Sequence, residues 1–190
     1  MPAQVHTLGC SGPGFAFDNE RQAHPQALAA FEIDTAAVSW ARYLPFVQAT
    51  GHALPPHVRW LDGAWQAQRF GQWQPLDLQA PAVHLNAHDA QAWCQWAGRR
   101  LPTEAEWECA AQQPGWVWGQ VWEWTASDFA PYPGFEVHPY RDYSAPWWHG
   151  HRVLRGACAA TSANVVDVRY RNFFVPERRD IFAGFRSVAV

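Results

Sequence analysis

The chain has no lysine; all fourteen basic residues among its 190 are arginine. That excludes a lysine Schiff base and a P-loop, both of which need an ε-amine. Its four cysteines, Cys10, Cys94, Cys109 and Cys158, include no Cys-x-x-Cys pair, which argues against a zinc cluster or a thioredoxin-like couple. No apolar run approaches the roughly 20 residues of a membrane span, and Met1 to His6 does not read as a secretory signal. The expected setting is cytoplasmic, with free thiols and no membrane. Long runs of one charge sign are missing and the formal net charge is −3, so nucleic acid is not an expected partner. Repeats, low-complexity stretches and linkers are also missing. The expectation is one domain over residues 1–190, long enough to bury a substantial core.

Tryptophan, by contrast, is abundant, with thirteen residues. The stretch from Gly119 to Phe129 alternates Val121, Glu123 and Thr125 with Trp122 and Trp124, a period of two that predicts a strand with one aromatic face. Glu123 therefore lies between two indoles and needs a cation, a metal or several N–H donors. The C-terminal stretch offers Arg169, Arg171, Arg178, Arg179 and Arg186. Some of these are expected to close back on the tryptophan strand and line a polar pocket.

Elsewhere the pattern is local. Ser39 is placed to cap a helix carrying Trp40, Tyr43, Leu44 and Val47 and ending at Gly51, with Pro45 expected to kink or shorten it. Residues 52–81 read as an ordered loop or small hairpins that form a lid or pocket wall. Val83 to Leu85 reads as a short strand. Asn86 caps a helix with Ala90, Trp93 and Ala97 inward and Gly98 beyond its end, and Thr103-Glu-Ala-Glu106 is a capping box for another helix. Arg152 to Arg155 reads as a strand. Helices are expected mainly in the first half, and short strands with structured loops in the second.

Four motifs in order, Arg99-Arg-Leu-Pro-Thr-Glu-Ala-Glu-Trp-Glu108, Gly119-Gln-Val-Trp-Glu-Trp-Thr125, Val153-Leu-Arg-Gly156 and Phe182-Ala-Gly-Phe-Arg186, resemble the formylglycine-generating-enzyme (sulfatase-modifying factor) superfamily. The resemblance implies an α+β, C-type-lectin-like fold with little regular secondary structure. Phe15-Ala-Phe-Asp-Asn-Glu-Arg21, Pro131-Tyr-Pro-Gly-Phe135 and Arg171-Asn-Phe-Phe-Val-Pro-Glu-Arg178 further resemble the ergothioneine-pathway sulfoxide synthases and the selenoneine synthases. Those enzymes use non-haem iron and O₂ to join sulfur or selenium to hercynine, the trimethylated betaine of histidine. Copper-dependent formylglycine-generating oxidases carry two cysteines where this chain has Asp167 and Asn172, and soft copper wants sulfur ligands.

The resemblance implies roles for individual residues. Asn172 and Phe173 match the segment that holds hercynine, an amide suiting the carboxylate and an aromatic face the trimethylammonium. Arg178 matches an arginine that grips the thiol substrate's carboxylate. Phe174 stands where some members contact γ-glutamylcysteine through an aspartate, which opens the donor to another thiol or a selenol, including a selenosugar. Tyr140 and Tyr143 fall where a catalytic tyrosine is found. The Fe(II) of the complete enzymes is held by three histidines on an N-terminal helical bundle. Only Met1 to Leu8 precede the first family motif here, so the chain resembles the C-terminal half, and a His-rich helical domain or chain is an implied partner.

Metal sites within this chain are not expected. His84 and His88 are four apart but straddle the Asn86 cap, and His149 and His151 have no carboxylate at a recognisable spacing. Glu123 suits either a structural calcium ion or an arginine partner, with Gln120 a poor calcium ligand. Glu104, Glu106 and Glu108 read as an acidic helix start that favours the dipole. Two further readings stand beside the synthase: a non-catalytic lectin-like binding module, and a formylglycine-generating oxidase.

Overall fold

The computed structural model describes residues 1–140 and 142–190. The chain opens with an antiparallel pair, β1 (Gln4–Leu8) and β2 (His24–Leu28), whose long connection carries a 3-10 turn at Asp18–Glu20. Helix α1 (Trp40–Thr50) leads to a meander of β3 (Val58–Leu61), β4 (Ala64–Arg69) and β5 (Gln72–Pro75). Then come α2 (Ala87–Trp96), β6 (Arg99–Arg100), α3 (Glu104–Ala111) and β7 (Trp122–Asp128). The chain closes with β8 (Arg152–Gly156), β9 (Asn172–Phe174), β10 (Ala183–Phe185) and β11 (Val188–Ala189). The fold is α+β with low regular secondary structure, and strands occur in both halves rather than mainly in the second.

The central sheet has the order β10-β7-β8-β9, with β10 parallel to β7 and the other pairs antiparallel. Strand β7 is interior, so Trp122, Glu123, Trp124 and Thr125 are all buried, and its alternation sorts them between two layers. Trp122 and Trp124 join Trp40, Tyr43, Trp93 and Phe185 in the main core beneath α1 and α2. On the other side, the Trp107 indole of α3 donates to Glu123 (2.8 Å), and the Thr125 hydroxyl donates to the Val153 carbonyl (2.8 Å). Gly184 on β10 is required by close approach, since a Cβ there would collide with the Ala82 carbonyl.

Capping explains both later helices. Asn86 and Asp89 exchange hydrogen bonds at the start of α2, as do Thr103 and Glu106 at the start of α3. Gly51 and Gly98 follow α1 and α2 with left-handed φ of 70° and 64°. Pro45 does not shorten the expected helix: α1 runs its full length, its buried Trp40, Tyr43, Leu44, Phe46 and Val47 offsetting the one lost amide bond. Ser39 occupies the cap position without a side-chain capping bond. The hairpins expected in residues 52–81 are the β3–β5 meander, turned at Asp62-Gly63 and Phe70-Gly71, all four at positive φ. Val83 to Leu85 is not a strand: His84 takes φ 62°, which breaks the extension, and only the Leu85 N–H reaches β10, at the Ala183 carbonyl (3.1 Å).

Candidate functional site

Strand β9 is an edge of the central sheet, and two buried ion networks fix the loops around it. Glu104, in the first turn of α3, accepts from Arg171 Nε (2.9 Å) and Nη2 (3.0 Å), from Arg155 Nη2 (2.9 Å) and from the Tyr132 hydroxyl (3.1 Å). Burial pushes the Glu104 carboxyl up, but the Arg171 and Arg155 guanidiniums outweigh it and hold it below the ordinary carboxylate range. Arg155 also pairs with Glu108 (3.0 Å), which accepts from the Gly9 N–H (3.1 Å). Arg171 then donates to the carbonyls of Asn19 (2.7 Å) and Ala130 (3.0 Å), tying α3, the Asp18–Glu20 turn and the loop after β7 together. Glu104 and Glu108 are therefore interior anchors, more than the dipole-favouring helix start that their spacing suggests.

The second network is Glu123 with Arg186. Both carboxylate oxygens accept from the guanidinium, one of them at 2.6 Å from Nη2, and Arg186 also donates to the carbonyls of Asp34 (3.0 Å) and Val117 (2.8 Å). The arginine partner expected for Glu123 is thus present. The polar pocket expected between the arginines and the tryptophan strand is not: Arg155, Arg171 and Arg186 are buried in full ion pairs, while Arg169, Arg178 and Arg179 pair with Asp167, Asp180 and Asp89. Each guanidinium found a carboxylate close by, and packing closed the space between them.

The Asp18–Glu20 turn positions Tyr143. Asn19 Nδ2 donates to the Ser144 hydroxyl (2.9 Å), which donates in turn to Asp18, and Asp18 accepts from the His138 N–H (3.3 Å). Tyr143 is stacked on Phe17 at 4.3 Å and 11°, and its edge meets Phe173 at 6.0 Å. Phe173 stacks on Phe129 at 4.0 Å and 10°. The hydroxyls of Tyr143 and Tyr170 lie 3.3 Å apart. Burial, then the bond to Tyr170, pushes the Tyr143 phenol far above its usual value, so it holds its proton at neutral pH. A cavity of about 240 Å³ opens beside this group, lined by Phe15, Phe17, Asp18, His138, Tyr140 and Tyr143.

The residues singled out in the sequence fall into two groups. Phe173 and Tyr143 meet, and Tyr140, although 64% exposed, lines the same cavity as Tyr143. On the opposite face of β9, the Arg178 guanidinium lies over the Phe174 ring at 4.5 Å and is held by Asp180 at 2.8 Å. The side chain of Asn172 caps its neighbour, Oδ1 accepting from the Phe173 N–H (2.9 Å), which leaves its NH₂ as the free donor. Because β9 is an edge, a ligand lying along it can reach both faces. Sequence reasoning did not single out Phe17, Tyr170, Asn19 or Ser144. Asn19 and Ser144 are 125 residues apart, and no local spacing signals that bond.

Among the described residues, no three His, Cys, Asp or Glu side chains converge as metal ligands. His84 Nδ1 faces the Arg179 carbonyl (3.2 Å) and His88 faces Glu177 (3.3 Å), on separate elements as expected. His151 turns back to the His149 carbonyl (3.1 Å). No described helix is long and apolar enough to cross a membrane.

A family model for the sulfatase-modifying factor enzyme 1-like domain matches residues 4–119 and 115–190. The chain belongs to this sulfatase-modifying factor family. The two matches meet at 115–119, in the connection from α3 to β7. The hercynine oxygenase of Mycolicibacterium thermoresistibile is 29% identical over 243 aligned residues, covering 90% of this chain and 53% of that protein. That alignment is longer than the chain, so the relative carries segments that are missing here. The formylglycine-generating enzyme of Streptomyces coelicolor is 34% identical over 181 residues, covering 79% and 54% respectively. The chain thus spans about half the length of the curated relatives it matches. Among solved structures, PvdO from Pseudomonas aeruginosa superposes with a TM-score of 0.71 at 17% identity, over 99% of this chain and 92% of that one. The variable protein 1 of Treponema denticola gives 0.69 at 19%. At these identities the likeness concerns the family fold alone.

Proposed function

We propose that the chain is the substrate-binding half of a non-haem iron, O₂-dependent synthase that joins a sulfur or selenium donor to hercynine. The observation that carries this reading is the group of Phe173, Tyr143, Phe17 and Tyr170 beside an open strand edge. Its ring faces suit a trimethylammonium group, and the free NH₂ of Asn172 suits the adjoining carboxylate. Similarity to hercynine oxygenases over 90% of the chain supports the same ligand.

In this reading Phe173 and Asn172 orient hercynine along β9. Arg178 receives the carboxylate of the donor on the other face, and Phe174, apolar where an aspartate would select γ-glutamylcysteine, leaves room for a different thiol or a selenol. Tyr143 holds a proton at its hydroxyl within reach of the cavity, with Tyr170 as its partner. Iron, which supplies O₂ activation when bound, is held by histidines of a helical domain or chain outside these residues. A structural calcium ion has no call on Glu123, whose oxygens are taken by Arg186.

The test is complementation. Mixing the chain with a histidine-rich helical partner, Fe(II), O₂, hercynine and a thiol or selenol donor should yield the carbon–chalcogen product. Saturable hercynine binding with no turnover in any such mixture would favour the second reading, a non-catalytic lectin-like module. A formylglycine-generating oxidase has less support, since Asp167, where a copper-binding cysteine would stand, is engaged by Arg169 at 2.9 Å.

A further inference from the structure

A second cleft shares the Phe15–Phe17 segment with the Tyr143 cavity. It has a volume of about 270 Å³, and its walls include Cys10, Phe17, Glu20, Asp167, Arg169 and Tyr170. Glu20 is only 5% exposed, yet one of its carboxyl oxygens has no partner; the other accepts from the Phe17 N–H (3.2 Å).

Among the described residues, no cation forms an ion pair with Glu20. Arg155 and Arg171 are hydrogen-bonded to Glu104, Glu108 and backbone carbonyls; the Arg155 charge is felt at Glu20, but its unpartnered Nε–H makes no bond to it. Arg169 is forked onto Asp167 at 2.9 and 3.1 Å, with Cys10 Sγ at 3.8 Å from its Nη1. The hydroxyls of Tyr143 and Tyr170 bond each other. Among the described residues, Glu20 is therefore the one wall carboxyl of this cleft without an ion-paired partner, and a buried carboxylate oxygen without a donor is costly. Its free oxygen asks for an N–H donor carrying positive charge, and Phe17 and Tyr170 offer ring faces to the ligand's body.

We propose that this cleft is a second binding site, for a small organic cation bearing N–H groups, an alkylammonium or an imidazolium, with Glu20 as its anionic anchor. The cleft shares Phe17 and Tyr170 with the hercynine group, but its anchor, Glu20, has no part in that reading. Burial raises the Glu20 carboxyl to about 7, with the Phe17 N–H, Arg155 and the Arg171 backbone N–H opposing and Asp167 adding to the rise. Cation binding draws on the ionised form, so affinity rises with pH through this range.

The experiment is an NMR-monitored titration of the chain with butylammonium, and with tetramethylammonium as the cation without N–H. Butylammonium should bind roughly tenfold more tightly at about pH 8 than at about pH 6, from the change in ionised Glu20. It should shift the resonances of Cys10, Glu20 and Asp167, which line this cleft and not the Tyr143 cavity, and tetramethylammonium should shift them far less. Glu20→Gln should abolish both affinity and pH dependence. As a second arm that keeps Glu20, Arg169→Gln should tighten butylammonium binding several-fold, because Asp167 is released to share the cation. Equal shifts of those three resonances by the two cations, a flat pH profile in the unaltered chain, or unchanged affinity in Glu20→Gln would each overturn the proposal.

Discussion

Arg171, one residue before β9, grips Glu104 at the start of α3 through two hydrogen bonds of 2.9 and 3.0 Å, although 67 residues separate them. The pair is buried, and Arg171 extends it to the Asn19 carbonyl, so the turn that positions Tyr143 rests on the same guanidinium.

Arg171→Leu should therefore destabilise the fold by about 3–5 kcal/mol, the usual effect of stripping one partner from a buried pair. Arg155 still holds Glu104, which puts the expectation at the lower end of that range. Urea unfolding measures it. A loss below about 1 kcal/mol would mean that the network is not a structural anchor.

Stability should also report Glu20. Its carboxyl is raised in the folded chain from 4.5 to about 7, so the folded state binds the proton more tightly than the unfolded one. The stabilisation is complete below about pH 4.5 and is lost as pH rises towards 7. Glu20→Gln removes this loss and should stabilise the fold at pH 8 by about 2 kcal/mol relative to the parent chain. Glu104 and Glu106, both held low by arginines that outweigh their burial, act in the opposite sense: their contribution is present above the ordinary carboxylate pKa and is lost as pH falls below it. Unfolding curves from pH 4 to 8 separate the two signs.

Tyr143 and Tyr140 can be told apart. Tyr143→Phe keeps the ring stack on Phe17 and loses only the bond to Tyr170, a change of about 1 kcal/mol in stability. In the complemented enzyme it should slow turnover by about 100-fold or more, the usual scale for a lost proton donor. Tyr140→Phe, on an exposed ring, should leave turnover within about twofold. The reverse ranking would move the catalytic role to Tyr140.

Arg178 and Phe174 set the donor side. Arg178 is tied only to exposed Asp180 and the Phe174 face, so Arg178→Ala should change stability by no more than about 0.5 kcal/mol. The same change should raise the KM for a carboxylate-bearing thiol or selenol and leave hercynine affinity unaltered. Phe174→Asp should improve use of γ-glutamylcysteine over other donors, as competition between donors would reveal.

The parts of the molecule that were legible in the sequence are those whose signals are short-range. The Asn86–Asp89 and Thr103–Glu106 capping boxes act across three residues, and the alternation of Trp122 to Thr125 is a property of β7 itself, so helices and central strand could be read directly. Val83 to Leu85 misled because nothing in its composition announces that His84 turns left-handed. Glu104 looked like a helix-start charge because its partners, Arg155 and Arg171, come from distant strands. The same holds for the site: Phe173 and Arg178 could be named from motif likeness, but their separation onto opposite faces of β9 follows from pairing with β8. Phe17, Tyr170 and Glu20 acquire meaning only when the loops at the sheet edge close.

The central claim, that this chain carries the hercynine-binding half of the enzyme, is tested most directly by calorimetric titration of hercynine into the isolated chain and its Phe173→Ala variant. The account predicts saturable binding by the chain and a loss of roughly tenfold in affinity in the variant, the scale of one ring face under a quaternary ammonium. No binding by the folded chain, or equal binding by both, would contradict it.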